Sequence, residues 1–312
     1  MLHPQTRALL ALIEASGMPP THTLSPADAR ALYRDRRAYT QPEPPPVASA
    51  ADVDVAGVRC RLYRPASGAA GAAQPLLVYF HGGGWTIGDL DTHDVLCRQL
   101  CAWTPAAVLA VDYRLAPEHR FPAAVDDCVA VTRAVLSGSA GLAGIDTARV
   151  AVGGDSAGGN LAAVTALAVR GAAGLPPLAH QLLIYPATDM RAVAPSHRAN
   201  GQGYILTADS IAYYRGHYTP EPAQWNDSRA SPLLAADLKG LPPALVLTAG
   251  YDPLRDEGLQ YADALSEAGN RVQYLCFERQ VHGFITMSRV LDEAMTAVRA
   301  CTAVLGQALR TG

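Results

Sequence analysis

The segment VGGDSAGGN, residues 152–160, surrounds one serine with four glycines. Glycine-rich turns of this kind serve either phosphate binding or nucleophilic catalysis. A P-loop needs G-x-x-x-x-G-K-[ST], but the only lysine of the chain is the distant Lys239. A dinucleotide-binding loop needs glycines at i, i+2 and i+5. Counted from Gly153 the i+2 position is Asp155, and counted from Gly154 it is Ser156. The spacing therefore excludes both phosphate loops.

The same segment fits G-x-S-x-G, with Ser156 between Gly154 and Gly158. An apolar strand pattern precedes it and a helical pattern follows. A strand that turns at once into a helix brings backbone segments together, and glycine removes the Cβ atoms that would collide there. We therefore predict that Ser156 is a nucleophile, held in a strained conformation above the sheet at the positive end of a helix.

A second glycine motif, HGGGW at residues 81–85, also follows a buried strand pattern. Free backbone N–H groups in such a loop can bind the oxyanion that forms when a serine attacks a carbonyl. We predict that the amides of Gly83, Gly84 and Ala157 form this oxyanion hole, and that His81 is a scaffold residue. The alternative is a plain glycine turn.

The general base and its acid should follow the nucleophile in the order Ser, Asp, His. Asp252 is the first carboxylate after a strand predicted at 244–249. Asp256 and Glu257 follow in a helical pattern and are expected to cap its first turn. His282 lies on the loop after the last predicted strand. These positions predict Asp252 and His282 as the partners of Ser156.

Strand and helix patterns alternate along most of the chain and predict a mainly parallel α/β sheet covered on both faces. A hairpin that turns near Gly57 precedes them. The strands are predicted at 76–80, 108–111, 150–152, 181–185, 244–249 and 272–277, and the helices at 96–103, 123–136, 159–170, 257–267 and 294–309.

Two segments interrupt this alternation and are predicted to form a helical cap over the carboxyl edge of the sheet. Four residues, three of them in this cap, are tentative pocket-lining residues, with ordinary packing as the alternative: Trp85, Ile205, Tyr213 and Tyr214. The predicted division is an N-terminal cap part at 1–45, an α/β core at 46–186, a cap insertion at 187–241 and core again at 242–312.

Composition limits the remaining functions. A net charge of −3 gives no basic field for nucleic acid, and no apolar window has the length of a membrane span. Cys97 and Cys101 are one helical turn apart, but further ligands for zinc are missing nearby. We therefore expect a cytoplasmic protein with free thiols that binds no metal and no cofactor.

The motifs HGGGW, DYRLAPEHRFPAAVDD, GDSAGGN, YDPLRDEG and VHGF occur in this order. Together they resemble the hormone-sensitive-lipase-like bacterial carboxylesterases of the α/β-hydrolase fold. The resemblance runs from about Val53 to the C-terminus. It implies an eight-stranded sheet, a cap, serine hydrolysis of short to medium acyl esters without a cofactor, and a homodimer formed through the edge strand near Val272.

The predicted activity is therefore that of a serine carboxylesterase acting on a small-molecule ester. An amidase or formamidase remains an alternative, because the triad does not determine the leaving group. A non-enzymatic receptor is a further alternative, which the complete Ser, Asp and His set disfavours. A lipase for long chains lacks support, since no extended apolar face is visible in the cap segments.

Overall fold

The computed structural model describes residues 1–66 and 73–310, so residues 67–72 and 311–312 of the predicted core lie outside the described residues. Eight strands form one sheet in the order β1-β2-β4-β3-β5-β6-β7-β8. Their bounds are β1 Ser49–Val55, β2 Val58–Arg64, β3 Gln74–Phe80, β4 Ala107–Val111, β5 Ile145–Asp155, β6 His180–Ile184, β7 Ala244–Tyr251 and β8 Val272–Val281.

Strands β3 to β8 are parallel to one another, whereas β1 and β2 form an antiparallel hairpin that joins β4. This confirms the mainly parallel α/β-hydrolase sheet and the hairpin turn near Gly57. In the register, Phe80 of β3 lies beside Gly154 of β5, and Ile184 of β6 lies beside Asp155. The carboxyl ends of the central strands therefore meet at one edge.

Ten α-helices accompany the sheet in the described residues. They are α1 Pro4–Ala15, α2 Pro26–Asp35, α3 Arg37–Thr40, α4 Asp94–Ala102, α5 Ala123–Leu136, α6 Ala157–Val169, α7 Pro195–Ala199, α8 Ala208–Tyr218, α9 Arg255–Glu267 and α10 Asp292–Ala308. All five predicted helices are present, with ends shifted by at most two residues.

Alternation along β3 shows how the sheet is covered. Val78 packs in one apolar cluster with residues of α5 and α6, while Tyr79 packs in the other with residues of α4 and α10. Because both faces are buried, every residue of β3 from Pro75 to Phe80 is buried. This explains why the strand pattern is continuously apolar and not alternating.

Two strands extend by four or more residues beyond a predicted end. β5 begins at Ile145, and β8 continues past Phe277 to Val281. The extension of β8 follows a register irregularity in its pairing with β7, after which Tyr251 lies beside Val281. Polar and exposed residues in this part of β8 hid the continuation from an apolar pattern.

The segments outside the α/β alternation contain helices and no strand, as predicted for 187–241. Helix α2 is attached to the sheet side by ion pairs, with Arg30 2.6 Å from Glu118 and Arg34 2.5 Å from Asp89. Arg37 adds a hydrogen bond to the carbonyl of Asp91. Among the described residues, no helix is long and apolar enough to cross a membrane.

Candidate active site

Ser156 is the single residue between β5 and α6, with φ 57° and ψ −119°. Residues other than glycine avoid a positive φ. The surrounding backbone nevertheless holds Ser156 in this conformation, and the Ser156 amide donates a hydrogen bond to the carbonyl of Ile184 at 2.8 Å. A Cβ at Gly158 would collide with the carbonyl of Phe80, and a Cβ at Gly154 with the backbone of Gly158. This close packing is what the G-x-S-x-G spacing predicts.

The structure brings the three predicted catalytic side chains together. Ser156 Oγ lies 2.8 Å from His282 Nε2, and His282 Nδ1 lies 2.7 Å from Asp252 Oδ2. The Asp252 side chain is fully buried, and its other oxygen accepts a hydrogen bond from the Leu254 amide at 2.8 Å. A hydroxyl, an imidazole and a carboxylate in this order can carry the proton of a nucleophilic serine.

Strand register explains how Asp252 reaches His282. Tyr251 and Val281 are paired at the ends of β7 and β8, so the residues that follow them emerge side by side. Gly283 then adopts φ 81°, which turns the chain immediately after the imidazole. The two groups are therefore positioned by backbone pairing, although they are 30 residues apart in the chain.

The predicted oxyanion-hole amides lie around the same cavity as Ser156 and His282. Gly83 and Gly84 follow β3 in left-handed conformations, and Ala157 is the first residue of α6. Within the described residues, the amides of Gly83, Gly84 and Ala157 donate no hydrogen bond. They are therefore available to bind a negatively charged oxygen near Ser156.

A buried carboxylate, Asp155, lies directly behind the glycine loop and was missed by sequence reasoning. It accepts hydrogen bonds from Tyr79 Oη at 2.7 Å and from the Gly82 amide at 3.0 Å, and His93 Nε2 lies 3.4 Å away. Burial would raise the pKa of Asp155, but His93 and Tyr79 lower it overall. Asp155 thus joins the serine turn to the oxyanion loop.

A second histidine behind the glycine loop, His93, is buried. Its ring lies 5.5 Å from that of His81, which stacks on Tyr113 at 4.3 Å. Burial, with the nearby His93, lowers the pKa of His81 to about 4. His81 is therefore neutral near pH 7, in agreement with a scaffold role.

The cavity in front of Ser156 has a volume of about 130 Å³. Trp85, Ile205 and Tyr214 line it, as predicted, whereas Tyr213 is absent from the lining. The Tyr213 ring packs against Tyr214 at 5.3 Å and against His217 at 4.5 Å, and so lies behind the wall. Helical periodicity alone could not decide which of two adjacent tyrosines faces inward.

Asp256 and Glu257 do not cap α9, contrary to the sequence prediction. The Asp256 carboxylate accepts from the Ser196 amide at 2.9 Å. The Glu257 carboxylate accepts from the Thr188 amide at 2.6 Å and lies 2.5 Å from His197 Nε2. Both acids therefore bind the insertion 187–241 to the sheet side. Burial raises the pKa of Glu257, against the opposing effect of His197.

The acidic, histidine and cysteine side chains of the described residues are not clustered as in a metal site. Within residues 1–66 and 73–310, no group of three or more lies close enough together to hold a metal ion. The six cysteines are free, and Cys97 and Cys101 are buried in the core beside α10.

A mostly parallel sheet with a strand–serine–helix turn at its carboxyl edge defines an α/β hydrolase. A family model described as alpha/beta hydrolase fold matches residues 77–286. The chain belongs to this family, and the resemblance carried by its motifs is thereby confirmed.

Individual relatives agree with this assignment. The chain is 45% identical over 257 residues to the carboxylic ester hydrolase LipN of Mycobacterium tuberculosis, covering 78% of this chain and 67% of LipN. It is 38% identical over 304 residues to the ethyl acetate hydrolase of Pseudomonas putida, covering 94% and 95%. The solved ester-hydrolase EH1AB1 from the Lake Arreo metagenome superposes with a TM-score of 0.93 at 45% identity, covering 98% and 99%.

Proposed function

We propose that this protein is a serine carboxylic ester hydrolase that acts on short- to medium-chain acyl esters through a covalent acyl-enzyme. The observation that carries the proposal is the hydrogen-bonded chain from Ser156 Oγ through His282 to Asp252. The three relatives described above are ester hydrolases, which supports the reaction class.

In the proposed first half-reaction, His282 Nε2 takes the proton of Ser156 as Oγ attacks the ester carbonyl. The carbonyl electron pair moves to oxygen, which the amides of Gly83, Gly84 and Ala157 stabilise. The intermediate collapses, the C–O bond to the alcohol breaks, and His282 gives its proton to the leaving alcohol. Asp252 orients the imidazole and stabilises its charged form.

The second half-reaction repeats these steps with water. His282 removes a proton from the water that attacks the acyl-enzyme, and returns it to Ser156 Oγ as the acid leaves. The proposed cycle uses only side chains, backbone amides and water. The strained φ of Ser156 keeps its hydroxyl directed at the cavity throughout.

The proposed substrate size follows from the walls of the cavity. Bulky side chains, among them Trp85, Ile205 and Tyr214, close in a cavity of about 130 Å³. We therefore propose that acetate to hexanoate esters are preferred over long chains. The walls come from both the sheet side, 46–186 and 242–312, and the segments 1–45 and 187–241, which supports the proposed division into core and cap.

The first test is the initial rate on p-nitrophenyl esters from acetate to palmitate, with matching anilides in parallel. Wild type should show a maximum at short chains, and Ser156→Ala should lose on the order of 10⁴-fold or more in kcat. The exposed Ser139→Ala is the matched control. Cleavage of anilides in preference to esters would replace the esterase by an amidase, and near-native activity of Ser156→Ala would refute the serine mechanism.

Assembly and location remain proposals from the sequence. β8 forms one edge of the sheet and exposes Leu275, which supports a homodimer through this strand. Sedimentation analysis of wild type and Leu275→Arg tests it, since a dimer through β8 should dissociate in the variant. We also keep the proposal of a cytoplasmic protein, which fractionation of the producing cells would test.

A further inference from the structure

Arg215 of α8 lines the same cavity as Ser156 and His282. Its guanidinium lies 4.0 Å from the centroid of the Trp225 ring, and Nη1 donates to the carbonyl of Met190 at 2.9 Å. Stacking on an aromatic face together with a hydrogen bond fixes the plane of a guanidinium. The cation is therefore held in one orientation on the cavity wall.

Two nitrogens of this guanidinium are unpaired among the described residues. Within the described part of the chain, Nε and Nη2 of Arg215 donate no hydrogen bond, and no carboxylate oxygen lies within 4 Å. These two nitrogens form the side-on fork that matches the two oxygens of a carboxylate. Burial lowers the pKa of Arg215, so the group is partly withdrawn from water without the compensation of an acidic partner.

The acids on the same wall are already paired. Asp189 binds Arg191 at 2.8 Å, and Glu257 lies 2.5 Å from His197. Asp155, behind the oxyanion loop, is occupied by Tyr79 and Gly82. Arg215 therefore has no acidic partner among the described residues that line the cavity.

Arg36 is the other arginine of the lining and provides a comparison. It lies at the N-terminal wall, 5.4 Å from the centroid of the Tyr33 ring. In residues 1–66 and 73–310 its side chain makes no hydrogen bond, so its position is not fixed as that of Arg215 is. A long side chain without such anchors loses more conformational entropy on binding a ligand.

We propose that Arg215 is a binding site for a carboxylate of the substrate, so that the preferred substrates are esters that carry a free carboxylate away from the scissile bond. This inference rests on the proposed ester hydrolysis at Ser156. Half-esters of dicarboxylic acids place the carboxylate on the acyl side, and acetate esters of hydroxy acids place it on the alcohol side. Both series belong to one class, the monoanionic esters.

The test compares kcat/KM for monoethyl esters of dicarboxylic acids, from malonate to pimelate, with ethyl alkanoates of equal acyl length. A parallel series compares acetates of ω-hydroxy acids with acetates of primary alcohols. In one of the two series, the kcat/KM of wild type should be about tenfold or more higher for the anionic ester at an optimal chain length. A factor of this size corresponds to one good charge-assisted hydrogen bond. The optimal length measures the distance from Ser156 to Arg215.

The preference ratio is then measured in variants, because a general loss of activity cancels from it. Arg215→Gln should lower the ratio at least about tenfold, and Arg215→Lys should restore only part of it, since the fork is lost. Arg229→Gln is the matched control, as Arg229 lies near the ring of Phe121 and is paired with Asp227 outside the cavity lining. It should retain the wild-type ratio.

The outcomes separate the two proposals. A wild type that hydrolyses neither neutral nor anionic esters overturns the proposed function itself. A wild type that hydrolyses neutral esters without preferring anionic ones at any length overturns the carboxylate site alone. The carboxylate site is also overturned if the preference for anionic esters is unchanged in Arg215→Gln, or if it is lost only in Arg36→Gln. If Arg215→Gln does not fold, the preference of wild type for anionic esters is measured at increasing sodium chloride concentration instead. The preference should weaken as the salt screens the charges, and a preference that is independent of salt contradicts the proposal.

Discussion

The two sides of the cavity are built in different ways. On the sheet side, Ser156, Asp252 and His282 each directly follow the last residue of a parallel strand, and strand pairing sets their positions. On the other side, which we propose to be the cap, Tyr214 and Arg215 project from α8, which is linked to its surroundings by contacts such as the hydrogen bond from Arg215 to Met190.

This difference places the catalytic groups and the groups that determine substrate preference on separate parts of the structure. The backbone at paired strand ends cannot shift without breaking backbone hydrogen bonds, so the Cα positions of the reacting groups are preorganised. Side chains on a helix held by individual side-chain contacts can change with little effect on the sheet. We therefore expect substitutions on the sheet side to lower kcat, and those on the cap side to change substrate preference and KM.

The largest effect is expected on the sheet side, from Asp252→Asn. An amide neither stabilises the imidazolium nor keeps His282 in the tautomer that accepts the serine proton. We expect kcat to fall by on the order of 10⁴-fold, with a normal urea-unfolding curve. Asp256→Asn, four residues along, is the control and should stay within about threefold of wild type, as expected away from the reacting groups. Equal losses in both variants would show a structural cause instead.

A smaller effect, at the border of the two sides, is expected from Gly84→Ala. The new methyl group would meet the ring of Tyr214, and the φ of 57° is unfavourable for alanine. Displacement of one oxyanion donor should lower kcat by about 10²–10³-fold. If the cap causes the collision, the added substitution Tyr214→Ala should restore part of kcat. Failure of the double variant to recover would assign the loss to backbone strain within the loop.

Asp155→Asn tests whether the sheet side extends behind the oxyanion loop. The substitution keeps the shape but removes the charge that holds the Gly82 amide and Tyr79 Oη. Charge-assisted hydrogen bonds contribute about 1.5–3 kcal/mol, so stability should fall measurably and kcat by about tenfold, with KM unchanged. Tyr79→Phe removes one of the donors and should show a smaller loss. A normal kcat in Asp155→Asn would exclude a positioning role for the charge.

Much of the sheet side could be predicted from the sequence, because its residues stand in short motifs at strand ends. The G-x-S-x-G turn around Ser156 and the strand before Asp252 are local patterns with local physical causes. Asp155 lies inside that motif, yet its partners Tyr79, Gly82 and His93 are 62 to 76 residues away in the chain, and such long-range contacts leave no spacing to detect. The same holds for Glu257, whose binding of the Thr188 amide depends on tertiary packing.

The smallest effect is expected on the cap side, at the ion pair between Arg30 and Glu118. The hydrogen bond from Arg30 lowers the pKa of Glu118 to about 2, below its ordinary value of 4.5. A lowered folded-state pKa means that the pair stabilises the protein fully above about pH 4.5, and that this stabilisation is lost as the pH falls towards 2. Because the Glu118 side chain is 53% exposed, the expected contribution is only about 0.5 kcal/mol.

Glu118→Gln should therefore lower the free energy of urea unfolding slightly at about pH 7, with a smaller difference from wild type at about pH 3. The control is Glu278→Gln, an exposed carboxyl without an ion pair in the described residues. Arg30 also donates to the carbonyls of Thr86 and Ala116, so the cap stays attached through the backbone when the carboxylate is lost. A large loss of kcat in Glu118→Gln would contradict the separation of the two sides, because it would mean that the cap positions the catalytic groups.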